Sequence, residues 1–284
     1  MKSSPRSQTP PSRCLALAAV GAAASLGACQ SAAPPHSGFL SSYSRLATEP
    51  AAASPNSHRD DALSDTITRV YILPAVLRLA DETRIGSEDL AAVRFEVDRQ
   101  ICYEISERFQ LATSPEPGIG VIRSAVVDVR PTNAAGSAVS AAAGFFIPVP
   151  ILSVRVPMTT GGLSAEAELL TPDGSQAAAL VWSRSADVVG RTEPSFSAVG
   201  DALQLAEPFG DAVGDAFSSA ARRPLPIPEP DPCAHYGPRS GAGQIAGRAV
   251  GALTGLYVPS ISGAGRPATA PAEALPVGQE APDE

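Results

Sequence analysis

The stretch that decides the fold is GGLSAEAELLTPDGSQAAALVWSRSADV, residues 161–188. Apolar and polar side chains alternate in its first half, which is typical of a strand with one buried face. The sequence TPDG then supplies a turn, because Pro presets φ and Gly accepts a positive φ. We therefore expect an antiparallel hairpin with Leu163, Ala165, Ala167 and Leu169 facing the core. Ser164, Glu166 and Glu168 then fall on the opposite face, which we expect to be solvated.

The flanking sequence adds strands and two long helices to this hairpin. Residues 67–74 and 118–131 are rich in β-branched residues and predict strands. Residues 86–113 and 195–221 carry apolar residues at helical spacing, with Pro208 expected to kink or divide the second helix. This order predicts an α+β domain over residues 61–223. It would hold an antiparallel sheet of about four to five strands with two main helices on one face, flanked by disordered N- and C-terminal extensions.

The N-terminus has the pattern of a secretion signal over residues 1–28. Positive residues precede a short apolar run, which is too short to cross a bilayer comfortably. The run ends in LGAC, which resembles the bacterial lipobox and implies cleavage between Ala28 and Cys29 with acylation of Cys29. Acyl chains at Cys29 would hold the protein on a membrane. Gln30 in the next position resembles sorting to the outer membrane; an ordinary secretory signal with a chance cysteine is the alternative.

Charge and composition restrict the classes of molecule that the protein is expected to bind. Cleavage would leave 18 arginines against 29 acidic residues, a net charge of −11. Such a chain repels phosphate backbones, so we expect no nucleic-acid partner. Residues 29–60 are rich in Ser, Ala and Pro and predict a flexible tether that reaches on the order of 30 Å. Within this segment, the apolar residues of SGFLSSYSRL (residues 37–46) would either dock onto the domain or form an exposed apolar patch in a disordered linker.

Two cysteines would remain after lipidation of Cys29. Cys102 and Cys233 would lie in a compartment that favours disulfides. Their pairing and a buried free Cys102 are both consistent with the sequence, and the choice stays open.

Several of these features occur together in a known family. The lipobox, the SGFLSSYSRL motif, the strand–helix–strand run and the Gly-Gly…Glu-Ala-Glu hairpin resemble the bacterial lipoproteins called domain of unknown function 3313. The resemblance covers roughly residues 29–223. It implies an acylated N-terminus and this fold, and it supplies no reaction.

The C-terminal part lies beyond that resemblance. Residues 224–240 predict a semi-rigid proline-rich spacer, and residues 259–284 predict a disordered tail. Between them, GAGQIAGRAVGALTG is not a dinucleotide loop, because no strand precedes it. In a helix over residues 241–258, glycines four positions apart would form one packing groove. These are Gly243, Gly247, Gly251 and Gly255. Low-complexity tail is the alternative.

The chain carries no convincing catalytic or metal-binding constellation. Its three histidines fall in the predicted tether and spacer, and no G-x-S-x-G motif occurs. We therefore expect no cofactor and no enzyme activity. The favoured function is a lipid-anchored outer-membrane protein that binds an envelope protein or glycan. The alternatives are a periplasmic hydrolase that uses paired carboxylates, and a protein that oligomerises or associates with membranes through the glycine groove.

Overall fold

A computed structural model describes residues 36–46, 56–79, 84–144, 153–156, 159–190, 192–239 and 242–266. The strands are β1 (Asn56–Arg59), β2 (Arg69–Ile72), β3 (Val76–Leu77), β4 (Gln110–Leu111), β5 (Gly120–Arg130), β6 (Ser153–Val154), β7 (Gly162–Leu170), β8 (Gln176–Ser185) and β9 (Val189–Gly190). The helices are α1 (Asp61–Thr66), α2 (Ser87–Ser106), α3 (Ala134–Gly144), α4 (Gly200–Phe217), α5 (Ala242–Thr254) and α6 (Pro259–Ser262). The predicted signal peptide, Ala28 and Cys29 lie outside the described residues.

The main sheet is mixed. Its strand order is β1-β8-β7-β5-β2-β4, with β3 also paired to β5. The pairs β1–β8, β8–β7 and β7–β5 are antiparallel, whereas β2 and β3 run parallel to β5 and β2 runs parallel to β4. The α+β class is confirmed, but the prediction of an entirely antiparallel sheet of four to five strands is wrong. The chain leaves β2, crosses over through α2 and returns as β4 and β5, and such a crossover produces parallel strands.

The hairpin of β7 and β8 forms the centre of the sheet. Leu163, Ala165, Ala167 and Leu169 are fully buried in the core, on the face that the alternation predicts. Trp182 of β8 packs against Phe209 of α4, with 5.5 Å between ring centroids. In the turn, Gly174 has φ +85°, a conformation that favours glycine.

Helices α2 and α4 pack on the same core. Their buried residues at helical spacing include Val93, Val97, Ile101 and Ile105 of α2 and Leu203, Ala206, Val213 and Phe217 of α4. α4 runs through Pro208 as one helix, so the proline does not divide it. This helix pair and one face of the sheet enclose the main apolar cluster.

The folded part extends beyond the predicted domain on both sides. β1 lies within the predicted tether, where its backbone pairs with the free edge of β8 from Asn56↔Val181 to Arg59↔Ala178. Backbone pairing needs no β-forming side chains, so the polar sequence NSHR gave no strand signal. On the other side, residues 259–266 belong to the fold: Gly265 donates its amide to buried Glu96 at 2.8 Å. That part of the predicted disordered tail is ordered; residues 267–284 lie outside the described residues.

The predicted spacer is also packed against the domain. Cys102 of α2 and Cys233 form a disulfide across 131 positions, and both residues are buried. Arg239 reinforces this attachment by donating to the Ser106 hydroxyl at 2.6 Å and to the Tyr103 carbonyl oxygen at 3.0 Å, both in α2. The proline-rich stretch is therefore fastened along α2 rather than acting as a free spacer.

The glycine groove is occupied by the chain itself. Gly247 and Gly251 of α5 are buried, and a Cβ atom at these positions would clash with Ser262 and Glu193, respectively. Gly255 has φ +65° and follows the end of α5, so it does not belong to a helical groove. Gly243 lies within α5, and its surroundings lie outside the part of the chain that the structure describes. Among the described residues, no helix is long and apolar enough to cross a membrane.

Candidate functional site

Residues 36–46, here called the strap, lie on the face of the sheet opposite α2 and α4. Leu40 and Leu46 are buried against Ala179 and Val181 of β8. Phe39 and Tyr43 are partly buried in the same cluster. The apolar cluster in the SGFLSSYSRL motif therefore docks onto the sheet, which settles the choice between docking and a free linker.

Glu166 of β7 receives the beginning of the strap. Its carboxylate has no solvent exposure. Ser37 donates to it from its backbone amide at 3.1 Å and from its hydroxyl at 2.7 Å, and the Tyr43 hydroxyl donates at 2.6 Å. Burial and the neighbouring Glu166 carboxylate raise the pKa of Tyr43, so its hydroxyl remains a donor.

Glu168, two positions along β7, receives the middle of the strap. It is also fully buried. Ser41 donates to it from its amide at 2.9 Å and from its hydroxyl at 2.7 Å, and the Gln176 amide group donates at 2.7 Å. Arg123 of β5 forms an ion pair with the other carboxylate oxygen. Both oxygens of Glu168 thus have partners.

Arg123 connects the polar and apolar parts of the strap contact. Its guanidinium donates to the carbonyl oxygen of Phe39 at 3.1 Å. The same group lies 5.0 Å from the centroid of the Phe39 ring, a cation–π arrangement. One charged side chain therefore holds the strap backbone, an aromatic ring of the strap and the buried Glu168 together.

The expectation that Glu166 and Glu168 lie on a solvated face is wrong. The alternation along β7 does place them opposite the core, but the strap covers that face and supplies their donors. The sequence carried a signal for this contact: Ser37, Ser41 and Tyr43 are hydroxyl donors in a short motif, and two carboxylates stand two positions apart on a strand. The contact spans more than 120 positions, so no local pattern could pair the two motifs.

A second buried ion pair was missed by sequence reasoning. Arg155 donates to both carboxylate oxygens of Asp201, at 2.5 and 3.0 Å, and neither side chain is exposed. Asp201 also accepts the amide of Gly161 at 2.6 Å. Asp201 lies in the first turn of α4, where a negative charge is favoured by the helix dipole. This pair fixes the chain on either side of β7 and is structural.

The histidines lie apart from one another. His36 stacks on Tyr43 at 4.1 Å between ring centroids, His58 lies in β1, and His235 contacts Tyr236 at 4.0 Å. Within the part of the chain that the structure describes, no group of three or more His, Cys, Asp or Glu residues could hold a metal ion.

Comparisons with known proteins bear on the family. A family model described as "Protein of unknown function (DUF3313)" matches residues 35–213, which include both the strap and the β7–β8 hairpin. No curated protein matches the chain. Two solved structures of PelC dodecamers from Paraburkholderia phytofirmans are similar at 10% identity and a TM-score of 0.34. They cover 59% and 58% of this chain and 98% and 97% of their own chains. The chain belongs to the DUF3313 family of proteins of unknown function.

Proposed function

We propose that this protein is an outer-membrane lipoprotein whose folded part is a non-enzymatic binding module of the cell envelope. We further propose that the strap keeps the module close to the membrane. The observation that carries this proposal is the docking of Ser37, only eight positions after Cys29. Eight residues span at most about 28 Å when fully extended. A lipid at Cys29 would therefore be joined to the sheet by a short stretch of chain, at most about 28 Å long.

The strap contact is suited to this mechanical role. Its hydrogen bonds are made to the fully buried carboxyl groups of Glu166 and Glu168, and leaving a buried polar group without its partner costs about 1–3 kcal/mol. Beside these bonds, Leu40 and Leu46 of the strap are buried against Ala179 and Val181 of β8. The tether that the sequence predicted to run to residue 60 would effectively end at the strap.

The saturation of the two glutamates favours binding over catalysis. A general acid or base must exchange a proton with substrate, and it therefore needs a free oxygen within hydrogen-bond reach of that substrate. Glu166 and Glu168 are buried, and their carboxyl oxygens already accept hydrogen bonds from the strap, Gln176 and Arg123. The carboxylate pair that the hydrolase alternative would draw on is thus committed to holding the strap.

The anchoring part of the proposal is tested by fractionating cells that express Cys29→Ala. We expect the variant to be absent from the membrane fraction and to incorporate no alkyne-labelled palmitate. Cys14→Ala is the matched control, because it removes a cysteine from the same apolar run without touching the lipobox. Its membrane association and labelling should equal those of the unaltered protein. Unchanged labelling and membrane association of Cys29→Ala would overturn the anchor.

A further inference from the structure

The bond between Cys102 and Cys233 lies inside an apolar cluster of its own. Cys233 has no solvent exposure and Cys102 is 4% exposed. One buried and three partly buried side chains complete the cluster: Tyr103, Ile72, Leu111 and Tyr236. Thiol–disulfide exchange begins when a third sulfur reaches one of the two bonded sulfurs. The surrounding side chains deny that approach in the closed structure, so the bond has to form before the structure closes.

The segment that carries Cys233, residues 218–239, can open without disturbing the core. Besides the disulfide, hydrogen bonds hold it on the last turn of α2, among them that from the Tyr103 hydroxyl to the Gly237 carbonyl oxygen at 2.8 Å. Phe217 and Tyr257 flank the segment and pack in the main apolar cluster, to which no residue from 218 to 239 belongs. Few apolar contacts with the core are a mark of local opening. We therefore expect this segment to open as a loop while its two ends stay fixed.

The two cysteines differ in the backbone that presents them. Cys102 lies in the last third of α2, where the helix holds it against the domain. Cys233 follows a stretch that is fully described and contains no helix or strand after the end of α4. Proline stands at every second position from Pro224 to Pro232, which disfavours helix at each proline and at the residue before it. When the segment opens, Cys233 is therefore presented on non-helical chain, whereas Cys102 stays on a rigid helix.

We propose that an oxidant of the thiol–disulfide exchange class first joins Cys233, and that Cys102 completes the bond as the segment closes. The Cys233 thiolate attacks the oxidant's disulfide, forms a mixed disulfide and releases the oxidant's other sulfur, which takes up a proton. The Cys102 thiolate then attacks the Cys233 sulfur and releases the oxidant's second sulfur as a thiol. Two cysteine thiols thus lose two electrons and two protons, and the oxidant's disulfide becomes a dithiol. Closure on α2 then shields the new bond from further exchange.

The order of the two steps is tested with oxidised glutathione as the oxidant. Full-length protein in which Cys14 and Cys29 are replaced by Ala keeps only the two cysteines of this bond. Cys102→Ser and Cys233→Ser are made in that background, reduced in urea and refolded without oxygen, and mass spectrometry follows the glutathione adducts. Because exchange depends on access, we expect Cys233 to react at least about tenfold faster than Cys102. The same reactions in concentrated urea correct for intrinsic reactivity.

The protein that keeps both cysteines gives a second measurement of the order. Its transient glutathione adduct, trapped with acid, should lie on Cys233. Equal corrected rates for the two single variants, faster reaction of Cys102, or a transient adduct on Cys102 overturns the proposed order.

Shielding of the finished bond is tested with dithiothreitol on the protein that keeps both cysteines. The folded protein should lose the bond at least about tenfold more slowly than the protein in concentrated urea, because its sulfurs are reached only through opening of the segment. Arg239→Ala removes the hydrogen bonds to Ser106 and Tyr103 and should accelerate reduction of the folded protein by about tenfold. Arg223→Ala is the matched control, since it alters an exposed arginine of the same segment. Reduction of the folded protein as fast as in urea, or equal rates for Arg239→Ala and Arg223→Ala, overturns the role of closure.

Discussion

Tyr43 donates its hydroxyl proton to Glu166 at 2.6 Å and so joins the strap to the central strand β7 across 123 positions of sequence. This bond shows that two motifs far apart in the sequence form one contact. The strap supplies hydroxyl and amide donors, and the Glu-Ala-Glu strand supplies buried carboxylates that accept them. The N-terminal motif is thus part of the fold. In the proposed function it is also the point at which the lipid-anchored segment would join the folded domain.

Tyr43→Phe removes one of the donors to Glu166 while keeping the ring. We expect the free energy of unfolding to fall by about 1.5–3 kcal/mol, because a bond to a buried charged acceptor is lost. Tyr71→Phe is the matched control, since no hydrogen bond of the Tyr71 hydroxyl occurs within the described residues. Urea unfolding of the two variants measures the difference. Equal stability of both would show that the strap bond contributes nothing.

Glu168→Gln places an amide among donors and leaves Arg123 without its anionic partner. Glu168 is fully buried, whereas Arg123 is one-third exposed, so we expect a loss of about 1–3 kcal/mol, the cost of leaving buried donors without their acceptor. Glu116→Gln is the control, because Glu116 pairs with Arg69 on the surface, where such a pair contributes about 0–1 kcal/mol. Hydrogen exchange at the Ser41 amide should also accelerate only in Glu168→Gln. A stability loss no larger than that of Glu116→Gln would contradict the role assigned to Glu168.

Replacing Cys102 and Cys233 together by Ala removes the covalent attachment of the C-terminal segment to α2. Loss of a native disulfide typically costs about 2–5 kcal/mol. The denaturation midpoint of the unaltered protein should fall in dithiothreitol, whereas that of the double variant should not respond to it. If the unaltered protein were also insensitive, the two sulfurs would not be bonded in solution.

Asp98 makes the stability depend on pH. Burial raises its pKa to about 6, against the lowering effects of the Ala75 amide and Arg94. A raised carboxyl pKa means that the folded state holds the proton more tightly, so the contribution of Asp98 to stability is fully present below about pH 4 and is lost as pH rises through about 6. Asp98→Asn should therefore gain on the order of 2–3 kcal/mol at pH 8 and little at pH 4.

A second carboxyl with a raised pKa and a control variant make the Asp98 measurement more specific. Burial and nearby carboxylates also raise the pKa of Asp211 to about 6, so a reduced slope should persist in Asp98→Asn. Asp187→Asn alters an exposed carboxylate and serves as control. An Asp98→Asn variant that is less stable than the unaltered protein at pH 8 would contradict a cost of ionising the buried carboxyl.

The sequence predicted those elements whose signal is local. Alternation revealed β7, helical spacing revealed α2 and α4, and TPDG placed the turn. Both strands of the parallel β2–β5 pair were predicted, but their pairing was not, because α2 and the loops around it separate them along the chain. β3 and β4 are two residues long and carry no strand pattern of their own. Docking of the strap was one of the two alternatives. Its bonds to Glu166 and Glu168 and the Arg155–Asp201 pair were missed, since each joins residues that are far apart along the chain. The prediction of a free proline-rich spacer followed its composition, and the Cys102–Cys233 bond that attaches the segment was only one of two open alternatives.

The central claim is that Cys29 and the docked strap together set the height of the domain above the membrane. A Gly/Ser insert of about twenty residues has a root-mean-square end-to-end distance on the order of 25 Å. It is placed after Ala33, before the strap, or after Ala52, beyond it. Energy transfer is measured from a fluorophore at position 187 to labelled lipid in vesicles that carry the lipidated protein.

The account predicts that the insert after Ala33 lowers energy transfer, because it lengthens the chain between the lipid and the strap. The same insert after Ala52 should leave transfer unchanged, because the docked strap bears the connection. Equal loss of transfer from both inserts would show that the strap is not docked, and absence of transfer from the unaltered protein would refute the anchor at Cys29.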